Sequence, residues 1–277
     1  MNKVYKALLA ADMDFTLLSP GKDVPEGNKK AIEELKRSGA AFTIATGRSS
    51  FLVGKFAEDL KIDVPIITSN GGSLFDAETR KQFASNDFAD SKIRHLLRYL
   101  LDNSADATLY SDEGIFFAPC SSRKFFVEGY NEGVEPSKQA PIIDIDRSFP
   151  EQEKIPRFNK ILLIRPNDEV RELVTSDPEL EALSSGTDLF DVMPKGTTKG
   201  RALQNLASYL NIPASNTFAI GDNENDVSMI ADAKYGIAMG NATEGAKKAA
   251  YYITADYDSL GFAKAVYDFI IPLVEKM

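Results

Sequence analysis

Residues 7–14 read ALLAADMD, a short apolar run that ends in two acids separated by one methionine. An apolar run of this length without alternation is typical of a strand buried on both faces, as in a parallel sheet. Side chains that follow such a strand lie at its carboxyl end, where open α/β sheets bind their ligands. The stretch therefore predicts an α/β sheet and the edge of that sheet at which a functional site would form.

Strand and helix patterns alternate in the N-terminal and C-terminal parts of the chain. Residues 26–38 carry one apolar stripe and are followed by Gly39, which suits a helix C-cap, and residues 41–46 indicate a second buried strand. The pattern returns with a helix at residues 200–210 and a strand at residues 217–220. Such alternation predicts right-handed βαβ units. The predicted fold class is α/β, with a doubly wound, Rossmann-like parallel-sheet core.

The middle of the chain follows a different pattern, in which strands are joined by hairpin turns. Asn70-Gly71-Gly72 and Asp112-Glu113-Gly114 are turn sequences of this kind, and we interpret the first as a tight turn rather than a ligand site. Residues 158–164 and 189–193 indicate further strands. We therefore predict an α+β cap domain inserted into the core. The predicted boundaries are residues 1–84 and 194–277 for the core, residues 85–193 for the cap, and residues 80–86 and 193–198 for the linkers.

The composition is that of a globular protein and excludes several classes of function. The 277 residues are 43% hydrophobic and 26% charged, and 32 Lys and Arg against 41 Asp and Glu give a net charge of −9. This charge repels nucleic-acid phosphates and anionic lipid. The single Cys120 excludes an internal disulfide, and the single His95 argues against a His-rich metal site. We expect a cytoplasmic protein with neither a nucleic-acid nor a membrane partner, and make no prediction of its oligomeric state.

Four polar clusters follow or precede the predicted elements at one edge of the sheet: Asp12-Met13-Asp14, Thr46-Gly47-Arg48, Lys199-Gly200, and residues 221–226, GDNEND. So many carboxylates in one crevice would repel one another unless a cation lay between them. Oxygen ligands without His or Cys suit Mg²⁺, and a lysine beside a Thr-Gly amide completes an anion cradle. The clusters predict phosphoryl transfer to an ionised carboxylate, with Mg²⁺ as cofactor.

The same clusters carry a resemblance to a known family. The segments AADMDFTLL, TIATGRS, PKGTTKGRAL and GDNENDVSMI resemble the four ordered motifs of the haloacid dehalogenase-like (HAD) phosphatase superfamily. The large insertion between the second and third motifs is similar to the Cof-type subfamily, which has a C2B cap. The resemblance implies a Mg²⁺-dependent phosphoric monoester hydrolase of small phosphorylated metabolites, with sugar phosphates favoured, that works through an aspartyl phosphate.

The resemblance also implies the catalytic roles. Asp12 would be the nucleophile, and Asp14 the general acid and base that protonates the leaving alcohol and then activates water. Lys199 would stabilise the charge of the nucleophile and of the phosphoryl group. Lys199 is preferred to Lys195 because the family lysine precedes Gly-x-Ala-Leu, which here is residues 200–203.

Substrate binding is assigned by the same resemblance. Thr46 and the backbone amide of Gly47 would bind phosphate, and Asn225 would contact the substrate as well. Two interpretations of Arg48 stay open, a structural salt bridge and a contact to substrate.

The metal ligands complete the implied site. Mg²⁺ would be held by Asp12, by the backbone carbonyl of Asp14 and by Asp222. Asn225 and Asp226 would support the metal site or orient Lys199.

One residue departs from the family pattern, because Phe15 stands where the family usually has glycine. Glycine there allows a φ that suits few other residues, so we expect Phe15 to reshape the pocket or to strain the loop. Two alternatives to a phosphatase stay open. One is a sugar phosphomutase or phosphotransferase, because related C2B-capped proteins pass the phosphoryl group to sugar hydroxyls. The other is a non-catalytic sugar-phosphate sensor in which Phe15 marks a lost activity. Among the other residues, we predict that His95 lies on the surface, that Cys120 is partly buried, and that the cap core contains Phe116, Phe117, Phe125, Phe126 and Tyr130.

Overall fold

The computed structural model describes residues 4–18, 23–186 and 188–277, in which strands and helices alternate. The strands are β1 (Ala7–Ala11), β2 (Ala40–Ile44), β3 (Ile66–Thr68), β4 (Ser73–Asp76), β5 (Lys81–Ser85), β6 (Ala107–Ser111), β7 (Ile115–Phe117), β8 (Ile142–Asp144), β9 (Phe158–Ile164), β10 (Leu180–Gly186), β11 (Leu189–Pro194), β12 (Thr217–Gly221), β13 (Tyr235–Ala238) and β14 (Tyr252–Ile253). The α-helices are α1 (Glu26–Arg37), α2 (Gly54–Asp59), α3 (Asp90–Asp102), α4 (Lys124–Glu132), α5 (Asp168–Ser176), α6 (Lys199–Tyr209), α7 (Val227–Asp232), α8 (Glu244–Ala249), α9 (Gly261–Ala265) and α10 (Ile271–Val274).

A parallel sheet in the order β14–β13–β12–β1–β2 forms the core. Every residue of β1 is buried, as expected for an apolar run without alternation. Helix α1 buries Ala31, Ile32 and Leu35 in the same hydrophobic cluster, and Gly39 follows it with a φ of +99°. The predicted α/β fold class is confirmed. The sheet order also brings the carboxyl ends of β12, β1 and β2 side by side.

A second sheet has the order β10–β11–β9–β6–β7–β8 and is antiparallel except between β7 and β8. It has its own hydrophobic cluster, in which the rings of Phe116 and Phe158 meet edge to face with centroids 5.0 Å apart. The strands predicted at residues 158–164 and 189–193 are confirmed as β9 and β11. Of the helices in the described residues, none is long and apolar enough to cross a bilayer.

The linker predicted at residues 80–86 is wrong for most of its length. Residues Lys81–Ser85 form β5, which pairs with β4 in a three-stranded antiparallel sheet with the order β3–β4–β5. The strand lies at the edge of the sheet and is mostly exposed. Because both faces of β5 are largely exposed, its side chains show no alternation of apolar and polar positions from which a strand could be predicted.

Three side-chain predictions for the cap are also wrong. Cys120 is exposed rather than partly buried. Phe125 and Phe126 lie on α4 with exposed fractions of 83% and 39%, so neither belongs to the cap core. The reason is the orientation of the helix, which buries Val127 instead. His95 is exposed on α3, as predicted.

Candidate active site

The predicted acids and the predicted lysine meet at the carboxyl edge of the core sheet. Asp12 follows β1, Asp222 follows β12, and Lys199 is the first residue of α6. The Lys199 Nζ donates hydrogen bonds to Asp12 Oδ1 and to Asp226 Oδ1, both at 2.6 Å. Residues far apart in the sequence therefore lie within direct contact of one lysine, because three neighbouring elements begin or end at the same edge.

The charged groups of this cluster are buried, and their pKa values are shifted as a result. Lys199 is completely buried, and although burial lowers the pKa of its ammonium group, the Asp12 and Asp226 carboxylates outweigh that effect and hold the pKa above its ordinary value. Burial, together with Asp226, raises the pKa of Asp12 well above its ordinary value. Burial and Asp226 raise the pKa of Asp222 to about 7, although Asp222 Oδ1 accepts a hydrogen bond of 2.9 Å from the Thr16 hydroxyl. The cluster thus has more negative charge than its lysine balances.

The donor set fits a divalent cation. One carboxylate oxygen from each of Asp12, Asp222 and Asp226 lies within 4.8 Å of the others. When all three carboxylates are ionised, they and the Lys199 ammonium leave two negative charges, which is the charge that a divalent cation such as Mg²⁺ would balance. Hard oxygen ligands are also the ligands that Mg²⁺ prefers.

Asp226 supports the cluster rather than facing an open position. Its Oδ1 accepts from Lys199, and its Oδ2 accepts from the backbone amides of Asp222 and Asn223 at 2.9 and 3.0 Å. Both oxygens are engaged by the protein, whereas Asp12 Oδ2 has no hydrogen-bond partner within the described residues. Asp226 therefore contacts Lys199 and the loop after β12, whereas Asp12 lines the cavity and keeps one oxygen without a partner among the described residues.

The segment after β2 forms the opposite wall. Thr46 is buried, and its hydroxyl accepts a hydrogen bond of 3.1 Å from the Arg48 amide. The Arg48 guanidinium donates to both carboxylate oxygens of Asp14, from Nη2 at 2.6 Å and from Nε at 3.1 Å. Of the two interpretations of Arg48, the structure therefore shows the salt bridge. Gly47 lies so close to Asn70 that an added Cβ would come within 3.0 Å of Asn70 Oδ1.

Three residues that the sequence analysis did not assign complete the site. Lys160 on β9 and Asp191 on β11 are 3% and 1% exposed and form an ion pair at 2.5 Å. The Lys160 Nζ also donates to the Gly47 carbonyl at 2.8 Å, and burial lowers its pKa. The predicted turn at Asn70 is present, but the Asn70 amide also donates to Asp191 Oδ2 at 2.6 Å and accepts from Asn225 Nδ2 at 3.1 Å. These contacts connect the cap strands β9 and β11 to the segments that follow β2 and β3.

A cavity of about 400 Å³ lies between the carboxyl edge of the core sheet and the cap sheet. The segments that follow the core strands contribute Asp12, Asp14, Asp222 and Thr46, and the cap sheet and α4 contribute Tyr110, Phe126 and Lys160. A cavity of this size with a few convergent polar groups is typical of a small-molecule site. The predicted site residues that line it directly are Asp12, Asp14, Thr46, Gly47, Arg48, Asp222 and Asn225.

Phe15 lines the same cavity and adopts the conformation that was expected to suit glycine. Its φ is +61°, its side chain is 42% exposed, and its ring meets Tyr257 edge to face with centroids 5.5 Å apart. Its carbonyl accepts a hydrogen bond of 3.1 Å from Asn241. The ring therefore packs at the side of the cavity, and the loop keeps a conformation that costs a non-glycine residue about 1–2 kcal/mol.

Because of this strain, we expect glycine and alanine at position 15 to differ in stability in the opposite order from the usual one. We expect Phe15→Gly to be more stable than Phe15→Ala by about 1 kcal/mol, although alanine normally restricts the unfolded chain more than glycine does. Both variants lose the contact with Tyr257, so their difference isolates the backbone conformation. Urea denaturation measures both free energies of unfolding. A more stable Phe15→Ala would show that residue 15 does not hold a positive φ in solution.

Comparisons with known proteins show which family the chain belongs to. A family model described as haloacid dehalogenase-like hydrolase matches residues 9–266. The chain is 29% identical to 5-amino-6-(5-phospho-D-ribitylamino)uracil phosphatase YwtE of Bacillus subtilis, over 92% of this chain and 95% of that protein. It is 24% identical to pyridoxal phosphate phosphatase YbhA of Escherichia coli, over 95% of this chain and 98% of that protein. A solved haloacid dehalogenase-like hydrolase from B. subtilis superposes with a TM-score of 0.81 at 27% identity, covering 95% of this chain and 99% of that one.

The family match runs from β1 to the end of α9. It therefore includes the core sheet, the cap sheet and all four motifs. The resemblance stated from the sequence is therefore confirmed. The chain belongs to the haloacid dehalogenase-like hydrolases and is a phosphatase of that superfamily.

Proposed function

We propose that this phosphatase is Mg²⁺-dependent and hydrolyses small phosphorylated metabolites, with sugar phosphates favoured, through an aspartyl phosphate on Asp12. One observation carries the proposal: a buried cluster of three carboxylates and one lysine opens on a cavity of about 400 Å³. The relatives YwtE and YbhA are named for phosphate esters of small metabolites. The cavity suits a substrate of that size better than a macromolecule.

The first chemical step transfers the phosphoryl group to Asp12. Lys199 holds Asp12 Oδ1, so Oδ2 is the oxygen that bonds to phosphorus while the bond from phosphorus to the substrate oxygen breaks. Mg²⁺, held by Asp12, Asp222 and the backbone carbonyl of Asp14, would reduce the repulsion between this carboxylate and the phosphate dianion. Thr46 and the Gly47 amide would bind the phosphate oxygens, and Asn225 would complete their surroundings.

Asp14 supplies and recovers the proton in the proposed mechanism. It protonates the oxygen of the departing alcohol, then removes a proton from the water that attacks the phosphorus and releases Asp12. Arg48 binds Asp14 in this structure, and a phosphate dianion is a strong competitor for a guanidinium group. We expect substrate binding to draw Arg48 towards phosphate and to free Asp14, which would reconcile the two interpretations of Arg48.

We also propose the domain division made from the sequence, with residues 85–193 as a cap over a core of residues 1–84 and 194–277. A cap that closes the cavity would exclude water until the leaving alcohol is protonated. Cytoplasmic location and the absence of nucleic-acid and membrane partners remain predictions from the sequence.

Product analysis separates the alternatives. A survey of phosphorylated metabolites with Mg²⁺ present should release inorganic phosphate if the protein is a hydrolase. An isomerised sugar phosphate without net phosphate release would indicate a phosphomutase or phosphotransferase. Saturable binding without turnover over hours would indicate a sensor.

Metal binding is expected to change stability as well as activity. Because Mg²⁺ would relieve the repulsion among Asp12, Asp222 and Asp226, we expect it to raise the melting temperature by about 5 °C at a concentration near 100 times Kd. Excess chelator should lower turnover by at least about tenfold. Asp222→Asn should abolish the melting shift, whereas Asp258→Asn, on the exposed turn before α9, should retain it. An unchanged melting temperature and full activity in chelator would remove the metal from the proposal.

A further inference from the structure

Arg123 is a cation of the cavity wall that takes no part in the proposed chemistry and, among the described residues, has no carboxylate partner. Arg48 pairs with Asp14, Lys160 with Asp191, and Lys199 with Asp12 and Asp226. Arg123, which precedes α4, also lines the cavity, but it forms no salt bridge within the described ranges. Its Nε atom is buried and has no hydrogen-bond partner among those residues.

Neighbouring rings hold this guanidinium in place without neutralising it. It lies over the ring of Phe126, with its central carbon 3.8 Å from the ring centroid. Tyr110 lines the same cavity, and burial raises the pKa of its hydroxyl to about 12 even though the charge of Arg123 acts to lower it. Tyr110 therefore stays uncharged at neutral pH and cannot balance the charge of Arg123. A partly buried guanidinium that has no counter-ion among the described residues is a site suited to an anion.

Two contacts place Arg123 beyond the phosphate-binding residues. The Phe126 ring that lies under Arg123 also contacts Arg48, whose central carbon is 5.9 Å from its centroid, and Arg48 is the partner of Asp14. The Tyr110 ring lies 5.2 Å from the Nζ of Lys160, which binds the Gly47 carbonyl. By either route one aromatic side chain separates Arg123 from the residues assigned to the phosphoryl group. Arg123 thus faces the part of the cavity that the leaving group would occupy.

We propose that Arg123 binds an oxyanion on the leaving group, a carboxylate or a second phosphate. The inference rests on the proposed function and narrows its substrate class to phosphate monoesters that carry a further acidic group, such as phosphorylated sugar acids and sugar bisphosphates. The fork of donors on a guanidinium matches both groups, and substrate pairs decide between them.

The test compares matched substrates. Glucose 6-phosphate with 6-phosphogluconate measures the carboxylate, and fructose 6-phosphate with fructose 1,6-bisphosphate measures the second phosphate. We expect the wild-type protein to prefer at least one acidic member in kcat/KM. Arg123→Met should lower kcat/KM for that substrate about 10- to 100-fold, because charged hydrogen bonds are lost, and change it about twofold or less for the partner without the added acidic group. Arg123→Lys should recover part of the preference, and Arg147→Met, an exposed arginine of the cap, should retain all of it.

Binding separates failure of this inference from failure of the proposed function. In Asp12→Asn, which lacks the proposed nucleophile, calorimetry can compare the Kd values of the same substrate pairs with and without Arg123→Met. Preference for the acidic ligand that disappears with Arg123→Met supports the inference even if no substrate is hydrolysed. Equal losses for both members of each pair, or no preference in the wild-type protein, would overturn it while leaving the phosphatase assignment intact.

Discussion

Asp12→Asn is expected to lower the turnover of a phosphate monoester by about 10³-fold or more while leaving the fold intact. An amide has the shape of the carboxylate but not its nucleophilic oxygen, so the bond to phosphorus cannot form. The fold should survive because the introduced amide oxygen could still accept from Lys199, and Lys199 would keep its second partner, Asp226. Phosphate release from p-nitrophenyl phosphate with Mg²⁺ present measures turnover, and circular dichroism follows the fold.

The matched control is an acid of the same type outside the cluster. Asp23 is exposed and pairs with Lys55 at 3.0 Å. Asp23→Asn therefore removes the same charge and should keep full turnover. Retention of activity in Asp12→Asn would contradict the assignment of the nucleophile, whereas loss of activity in both variants would point to a general effect of charge.

The acids and the lysine were predictable because a parallel sheet converts sequence order into position. Each short buried strand that ends in polar residues delivers them to the same edge, so Asp12, Thr46 and Asp222 could be grouped before any distance was known. The strained backbone of Phe15 could also be anticipated. Glycine is usual at this turn because the turn requires a positive φ, and Phe15 adopts that φ.

Lys160 and Asp191 could not be placed in this way. Their meeting depends on the register between β9 and β11, which puts Asp191 opposite Leu162 and therefore on the face that Lys160 shares. Register between antiparallel strands that are far apart in sequence is not fixed by either strand alone. The signal that the sequence did offer was a charge inside each of two otherwise apolar strands, FNKILLI and LFDVM.

Asp191→Ala is expected to lower the free energy of unfolding by about 3–5 kcal/mol, because it leaves the buried Lys160 without its counter-ion. Asn70 would lose its acceptor in the same variant. Burial already lowers the pKa of Lys160 relative to the unfolded chain, and loss of Asp191 lowers it further. The folded variant then binds fewer protons than the unfolded chain, so its stability should rise with pH up to the ordinary lysine pKa of about 10.4. Urea denaturation should therefore show a smaller difference in unfolding free energy between Asp191→Ala and the wild type at pH 9 than at pH 7.

The double replacement Lys160→Met with Asp191→Leu tests whether this ion pair stabilises the fold or orients the phosphate-binding residues. Apolar residues of similar size often substitute for a buried ion pair with little or no loss of stability, so we expect the double variant to be more stable than Asp191→Ala. A deficit of about 1–3 kcal/mol should remain, because the buried Asn70 amide still lacks its acceptor. The double variant should also lose about tenfold in kcat/KM, because nothing then holds the Gly47 carbonyl and the adjacent phosphate-binding amide at the cavity wall. A double variant as active as the wild type would mean that the pair stabilises the two sheets without orienting the site. A single Asp191→Ala variant as stable as the wild type would mean that Lys160 reaches water in the folded protein.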